Sequence, residues 1–153
     1  MSPREKLAEL GLEIPAVTPP LAAYVPAVRS GNQVYVSGQL PMADGKLLAT
    51  GKVGDDVSPE HAKELAQRCA LNALGNIEAL VGLDRVTRVV KVVGFVASAE
   101  GFTGQPGVVN GASELFGAVF GEAGRHARSA VGVSELPLGA PVEVEVIVEV
   151  SDS

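Results

Sequence analysis

The chain has 153 residues, of which 46% are hydrophobic and 20% are charged, and it contains no tryptophan; this predicts one globular domain, residues 1–153, with an aliphatic core. Its formal net charge is −6, and its lysines and arginines form no cluster that could neutralise several phosphates, so we expect no nucleic-acid partner. No apolar run approaches the roughly 18 residues that a membrane span needs, so we expect no membrane partner.

The residues that usually indicate a disulfide, a secretion signal or a cofactor are few. Cys69 is the only cysteine and cannot form an intramolecular disulfide, and the N-terminal residues contain no apolar signal segment, so we expect a cytoplasmic protein. His61 and His126 lack the spacing of a metal site, and the glycine patterns of nucleotide binding are missing. We therefore predict no cofactor and no metal.

A short helix and an irregular arm are predicted for residues 1–23. Ser2, Pro3 and Glu5 form a capping box with proline at the first helical position, and Gly11 is placed to end the helix. Residues 13–23 carry three prolines and are predicted to form an extended arm that leads into the body of the domain.

An early strand and a hairpin loop follow the arm. Val34 and Val36 alternate with polar side chains and predict a strand that ends at Gly38, after a turn at residues 31–32. The Asp-Gly pair at residues 44–45 is typical of a hairpin loop.

The clearest helix begins after Ser58, which is a suitable N-cap with Pro59 at the first helical position, and Gly82 is placed to end it. Cys69 lies on its apolar face and is interpreted as a core residue rather than a nucleophile. That face repeats at spacings of three and four and comprises Ala62, Leu65, Ala66, Cys69, Ala73, Leu74, Ile77 and Leu80.

The rest of the chain predicts three strands and one more helix. Residues 86–98 are mostly β-branched and predict a long strand with both faces covered, in which Gly94 marks a bulge or a close contact. A helix is predicted between residues 106 and 121, weakened by its glycines. Residues 128–134 and 142–150 predict the final strands. This order of elements indicates an α+β fold with the helices on one face of a sheet.

The last strand is predicted to carry carboxylates on one face, because valine occupies every second position and is expected to pack on the helices. The other face then comprises Glu143, Glu145, Ile147 and Glu149.

The preceding strand places an arginine near these carboxylates if the same parity rule holds. Val131 and Val133 are expected to face the core, which puts Arg128, Ala130 and Gly132 on the opposite face. A hairpin of the last two strands would then bring Arg128 and the glutamates onto one surface.

The early strand adds Tyr35 and Ser37 to the same face by parity. Because Ala130, Gly132 and Ile147 make that face partly apolar, it suits a surface covered by another subunit better than one in open water. We infer a homo-oligomer with pockets between subunits.

Plainer interpretations of these residues stay open at this point. Alternating glutamates on an antiparallel strand usually form only a solvated face, and we accept that interpretation for Glu145 and Glu149. Arg128 can either form a structural salt bridge with the glutamates or use its planar fork to bind a carboxylate ligand.

The most distinctive segments of the chain are Arg128-Ser-Ala-Val-Gly-Val-Ser-Glu-Leu-Pro137 and Pro141-Val-Glu-Val-Glu145. Through these segments, residues 17–150 resemble the Rid (reactive intermediate deaminase, YjgF-type) family. The segments Tyr24-Val-Pro-Ala-Val-Arg-Ser-Gly-Asn32 and Val36-Ser-Gly-Gln-Leu-Pro41 are similar to the opening strands of the family.

The resemblance implies a chorismate-mutase-like α+β fold, with a mixed or antiparallel sheet and two helices on one face, assembled as a homotrimer. It implies that Arg128 binds a substrate carboxylate and that Glu143 orients or protonates the reacting group and water. Tyr24, Ser37 and Asn110 would line an intersubunit pocket, in which 2-imino or 2-enamino acids are hydrolysed to 2-keto acids and ammonia.

The chain departs from the family pattern at one site position. Deaminating members commonly have cysteine two residues after the arginine, where this chain has Ala130. The cysteine side chain is not needed if the backbone N–H of this residue makes the substrate contact. The alternative to an imine deaminase is a non-catalytic module that binds small carboxylates in the same pocket. Nucleic-acid cleavage, which has been attached to parts of the family, is disfavoured by the acidic charge balance.

Overall fold

The computed structural model describes residues 1–17 and 23–152. It begins with α1 (Pro3–Glu9), whose N-cap Ser2 accepts a hydrogen bond of 3.1 Å from the backbone N–H of Glu5, so the predicted N-terminal helix is confirmed. Residues 13–17 of the predicted arm have no regular secondary structure, and residues 18–22 lie outside the described residues.

The described residues form a five-stranded sheet and a separate small hairpin. The sheet has the order β1-β2-β7-β5-β6, in which only β5 and β6 are parallel neighbours. Its strands are β1 (Ala27–Ser30), β2 (Gln33–Gln39), β5 (Val86–Ala97), β6 (Ala127–Val133) and β7 (Val142–Val150). The hairpin joins β3 (Met42–Ala43) to β4 (Lys46–Leu47) through Asp44 and Gly45, both at positive φ, as the Asp-Gly pair predicts.

Two helices cover one face of the sheet. They are α2 (Pro59–Leu80), whose N-cap Ser58 accepts a hydrogen bond from the His61 backbone N–H, and α3 (Gln105–Phe120). The even-numbered valines of β7 are buried beneath them, and Cys69 is fully buried on α2 as predicted. The α+β fold with a mixed sheet and helices on one face is confirmed.

Two glycines explain how closely the helical layer packs. A Cβ on Gly94 of β5 would overlap the Val109 side chain of α3, and a Cβ on Gly111 of α3 would overlap the Lys63 carbonyl of α2. The close contact predicted at Gly94 is therefore present, and Gly111 permits the near approach of the two helices.

The last two strands do not pair as the hairpin that would have placed Arg128 beside the glutamates. β6 pairs in parallel with β5, and β7 lies between β2 and β5. The reason is the βαβ unit formed by β5, α3 and β6, because a helical crossover returns the chain parallel to the strand it left.

The predicted parity of β6 is also wrong. Val92 of β5 pairs with Arg128 on one side and with Val146 on the other, and paired residues project to the same face of a sheet. Because Val146 is buried beneath the helices, Arg128 lies on the helical face. Val131 is 43% exposed on the opposite, open face, and Ala130 packs against the core.

Candidate functional site

Arg128, the second residue of β6, is half-buried against α3. Its Nη1 donates a hydrogen bond of 2.7 Å to Asn110 Oδ1 and one of 3.3 Å to Ser113 Oγ. Asn110 and Ser113 are three residues apart on α3, so both side chains project from the same side of the helix.

These two contacts leave one edge of the Arg128 guanidinium open. Its Nε and Nη2 make no hydrogen bond or ion pair within residues 1–17 and 23–152. A carboxylate can accept two parallel hydrogen bonds from such an edge. The geometry therefore favours a planar anion as the ligand of Arg128.

A histidine extends the contacts of Arg128 to the backbone. His126 Nε2 lies 2.9 Å from Ser113 Oγ, and His126 Nδ1 lies 2.6 Å from the carbonyl oxygen of Gly124. The imidazole ring also packs edge-to-face on Phe116, with ring centroids 6.1 Å apart. We call Asn110, Ser113, His126 and Arg128 the arginine cluster.

Glu143 lies on the open face of the sheet, in β7, where its carboxylate packs against Gly38 of β2. The β-bulge of β2 lies between Val36 and Gln39, which flank Gly38, and a Cβ on Gly38 would overlap the Glu143 carboxylate. Burial raises the pKa of the Glu143 carboxyl above its ordinary value, and the neighbouring Glu145 raises this pKa further.

Arg128 and Glu143 lie on opposite faces of the sheet. Phe95 of β5 pairs with Glu143 and with Val131, and the exposed Val131 marks the open face, whereas Arg128 contacts α3 on the helical face. One chain therefore does not bring these two predicted site residues into one pocket.

The other predicted site residues divide between the two faces. Asn110 joins the arginine cluster, and Ala130 follows Arg128 on the helical face. Ser37 Oγ donates a hydrogen bond of 3.1 Å to the Val25 carbonyl oxygen, and Tyr24 is 56% exposed just before β1.

A shallow cavity of about 270 Å³ lies on the open face beside Ser37. Tyr35 and Ile147, which are cross-strand partners, contribute to its wall together with Lys91 and Glu145. The parity prediction that Tyr35, Ser37 and the glutamates share a face is confirmed.

The salt-bridge interpretation of Arg128 is wrong. Arg128 forms no ion pair with a glutamate of the described residues, and its hydrogen-bond partners are the neutral side chains of Asn110 and Ser113. The arginine is thus held in place by uncharged groups, which leave its positive charge uncompensated.

The part of the chain that the structure describes has neither a metal-ligand cluster nor a membrane-spanning helix. No group of three or more histidine, cysteine, aspartate or glutamate side chains is arranged to hold a metal ion there. No helix of that part is both long and apolar enough to cross a membrane.

The sequence analysis did not predict three residues that contact Arg128, its partners or Glu143. These residues are Gly38, Ser113 and His126. Ser113 follows Asn110 by three residues on α3, and His126 precedes Arg128 by two, so helical and strand spacing both carried a signal. This signal was missed because the sequence analysis placed Arg128 on the face of β6 that points away from α3.

Comparisons with known proteins agree with this architecture. A family model described as endoribonuclease L-PSP matches residues 15–150. Protein TCP17 from Trypanosoma cruzi is 47% identical over 148 residues, covering 95% of this chain and 92% of that protein. A 2-iminobutanoate/2-iminopropanoate deaminase from Dermatophagoides farinae is 33% identical over 138 residues, covering 90% of this chain and 93% of the deaminase.

A solved structure extends the similarity to three dimensions. The protein Atu1372 from Agrobacterium tumefaciens superposes with a TM-score of 0.89 at 47% sequence identity, covering 97% of this chain and 91% of that chain. The similarity therefore includes both the sheet and the helical layer.

Proposed function

We propose that this chain, which belongs to the endoribonuclease L-PSP family, also called the Rid or YjgF family, hydrolyses reactive 2-imino and 2-enamino acids to 2-keto acids and ammonia. The observation that carries the proposal is the open Nε/Nη2 edge of Arg128, which is held by Asn110 and Ser113 and suits a carboxylate. The similarity to the 2-iminobutanoate/2-iminopropanoate deaminase from Dermatophagoides farinae supports the same substrate class.

The reaction needs a fixed carboxylate and one proton-handling group. Water adds to the C=N carbon of the imino acid, and its proton passes to the Glu143 carboxylate. The carboxyl gives this proton to the nitrogen, which forms a carbinolamine. The carboxylate then takes the hydroxyl proton of the carbinolamine and passes it to the nitrogen as well, so that the C–N bond breaks, ammonia leaves and the C=O bond forms. The raised pKa of Glu143 suits this role, because a carboxyl that binds its proton more tightly exchanges it more readily near neutral pH.

The proposed pocket lies between two copies of the chain. Arg128 of one copy and Glu143 of another would complete it, since the two residues lie on opposite faces of a single sheet. The open face has exposed apolar side chains, including Val28, Tyr35 and Val131, which favour contact with another subunit. We propose a homotrimer, with Tyr24 and Ser37 lining the pocket beside Glu143 and with the Ala130 N–H facing the substrate.

Substitution of Arg128 tests the proposed function. Hydrolysis of 2-iminopropionate generated in solution is followed for wild type, Arg128→Ala and Arg128→Lys. We expect kcat/KM to fall about a hundredfold or more for Arg128→Ala, since two charge-assisted hydrogen bonds are lost. Arg128→Lys retains the charge without the fork and is expected to fall about tenfold. Equal rates for wild type and Arg128→Ala would contradict the proposal.

A carboxylate-binding module without turnover is the second candidate. Ala130, which stands where deaminating relatives commonly have cysteine, favours it. In that case 2-ketobutyrate would raise the melting temperature of the wild type but not of Arg128→Ala, while added imino acid would decay at its uncatalysed rate. Measured turnover by the wild type would exclude this candidate.

A further inference from the structure

We propose that Ser113 and His126 are positioning residues that set the plane of the Arg128 guanidinium for carboxylate binding. This inference rests on the proposed function only through the carboxylate, because it concerns binding and not turnover. It assigns a role to two side chains that the proposed hydrolysis does not itself use.

The positions of the protons follow from the chemistry of the partners. The Gly124 carbonyl oxygen, 2.6 Å from His126 Nδ1, can only accept a hydrogen bond, so Nδ1 carries the proton. In the neutral ring Nε2 is then an acceptor, and the Ser113 hydroxyl, 2.9 Å away, donates to it. A lone pair of Ser113 Oγ is left to accept from Arg128 Nη1.

This series of hydrogen bonds links Arg128 to the Gly124 carbonyl through Ser113 and His126, whose orientations are fixed. The edge-to-face contact with Phe116 holds the His126 ring, and the ring directs the Ser113 hydroxyl. Asn110 alone would fix Nη1 at one point and leave the guanidinium free to turn about that bond. The second acceptor, Ser113 Oγ, fixes the plane and hence the direction of the open Nε/Nη2 edge.

A fork fixed in this way lowers the entropic cost of binding the carboxylate. The carboxylate is present in both the substrate and the transition state, so the gain is uniform binding and affects KM rather than kcat. We therefore expect Ser113→Ala and His126→Phe each to raise KM about five- to tenfold and to change kcat less than about twofold.

Three further variants separate positioning from a general effect on the fold. Ser113→Thr keeps the hydroxyl and is expected to recover most of the wild-type KM. The double variant Ser113→Ala/His126→Phe is expected to be no worse than Ser113→Ala, because both changes act through the same oxygen. Glu114→Gln, a change at the exposed next residue of α3, is the matched control and is expected to leave KM unchanged.

Calorimetric Kd values for 2-ketobutyrate across the same variants give a readout that needs no turnover. NMR of the wild-type imidazole nitrogens near pH 8.5 checks the proton assignment without any substitution. If Arg128→Ala weakens binding while Ser113→Ala and His126→Phe do not, the inference fails and the proposed function stands. If Arg128→Ala also has no effect, both fail. A His126 tautomer protonated at Nε2 would overturn the inference by itself.

Discussion

Gly38 gives the Glu143 carboxylate its place. The bulge of β2 turns a glycine toward Glu143, and the side chain occupies the volume that any Cβ at residue 38 would fill. Only glycine at residue 38 therefore leaves room for the carboxylate of Glu143, the proposed proton-handling group.

Gly38→Ala is expected to lower kcat about a hundredfold by displacing the Glu143 carboxylate, since a shift of about 1 Å at a reacting group has an effect of that size. The carboxylate end is flexible, so we expect the protein to remain folded by circular dichroism. Gly117→Ala is the matched control, because Gly117 lies on α3 and an added Cβ there would meet open space. Full activity of Gly38→Ala would show that the position of Glu143 is unimportant.

At the residue scale, the sequence could predict single side chains better than their partners. The resemblance to a family predicted Arg128, Glu143 and Asn110 as site residues, and their roles stay a prediction. The contact of Arg128 with Ser113 and His126 depends on which face of β6 meets α3, and no property of these residue types determines that face.

Among the elements, β7 determines the electrostatics of the open face. Its alternation places Glu145 on the same face as Glu143, two residues along the strand. The negative charge of Glu145 is the second cause, after burial, of the raised pKa of Glu143.

Glu145→Gln is expected to lower the pKa of Glu143 toward its ordinary value by removing this repulsion. Glu143 must be ionised to take a proton from water, so kcat/KM falls as the pH drops through its pKa. The acid limb of the pH profile is therefore expected to move to lower pH in Glu145→Gln. Glu149→Gln, farther along the same strand and exposed, serves as the control. If the acid limb of Glu145→Gln lies at the same pH as that of the wild type, Glu143 does not take the proton.

The elements that the sequence predicted best have long, regular patterns. The apolar face of α2 and the β-branched run of β5 each extend over many residues, and both match the structure within a few residues. The four residues of β1 are too few to establish an alternation, and the resemblance alone indicated a strand there. The pairing of β6 with β5 depends on a crossover, which local patterns do not encode.

At the scale of the whole molecule, a five-stranded sheet has helices on one face and an open second face. Val28 of β1, Tyr35 of β2 and Ile147 of β7 are successive cross-strand partners on that open face. Val28 is 51% exposed and Tyr35 is 42% exposed.

We expect light scattering to give the mass of three chains of 15.6 kDa each. Tyr35→Glu would place a charge on the open face and is expected to shift the mass toward that of one chain. The deaminase rate is expected to fall with the trimer fraction, because the proposed pocket needs two copies. The exposed substitution Leu138→Glu, outside the sheet, is the control. A monomeric variant with the full rate would contradict an intersubunit pocket.

The placement of Arg128 and Glu143 on opposite faces of one sheet also has a genetic consequence. In a closed ring of three copies, each chain would give its arginine to one pocket and its glutamate to a different one. An Arg128→Ala chain and a Glu143→Gln chain, each inactive by itself, would then complement each other in trans when they assemble together. In a trimer of one variant and two wild-type chains, a variant with both changes would inactivate two of the three pockets, whereas a single change would inactivate one. The double allele would therefore be more dominant than either single allele.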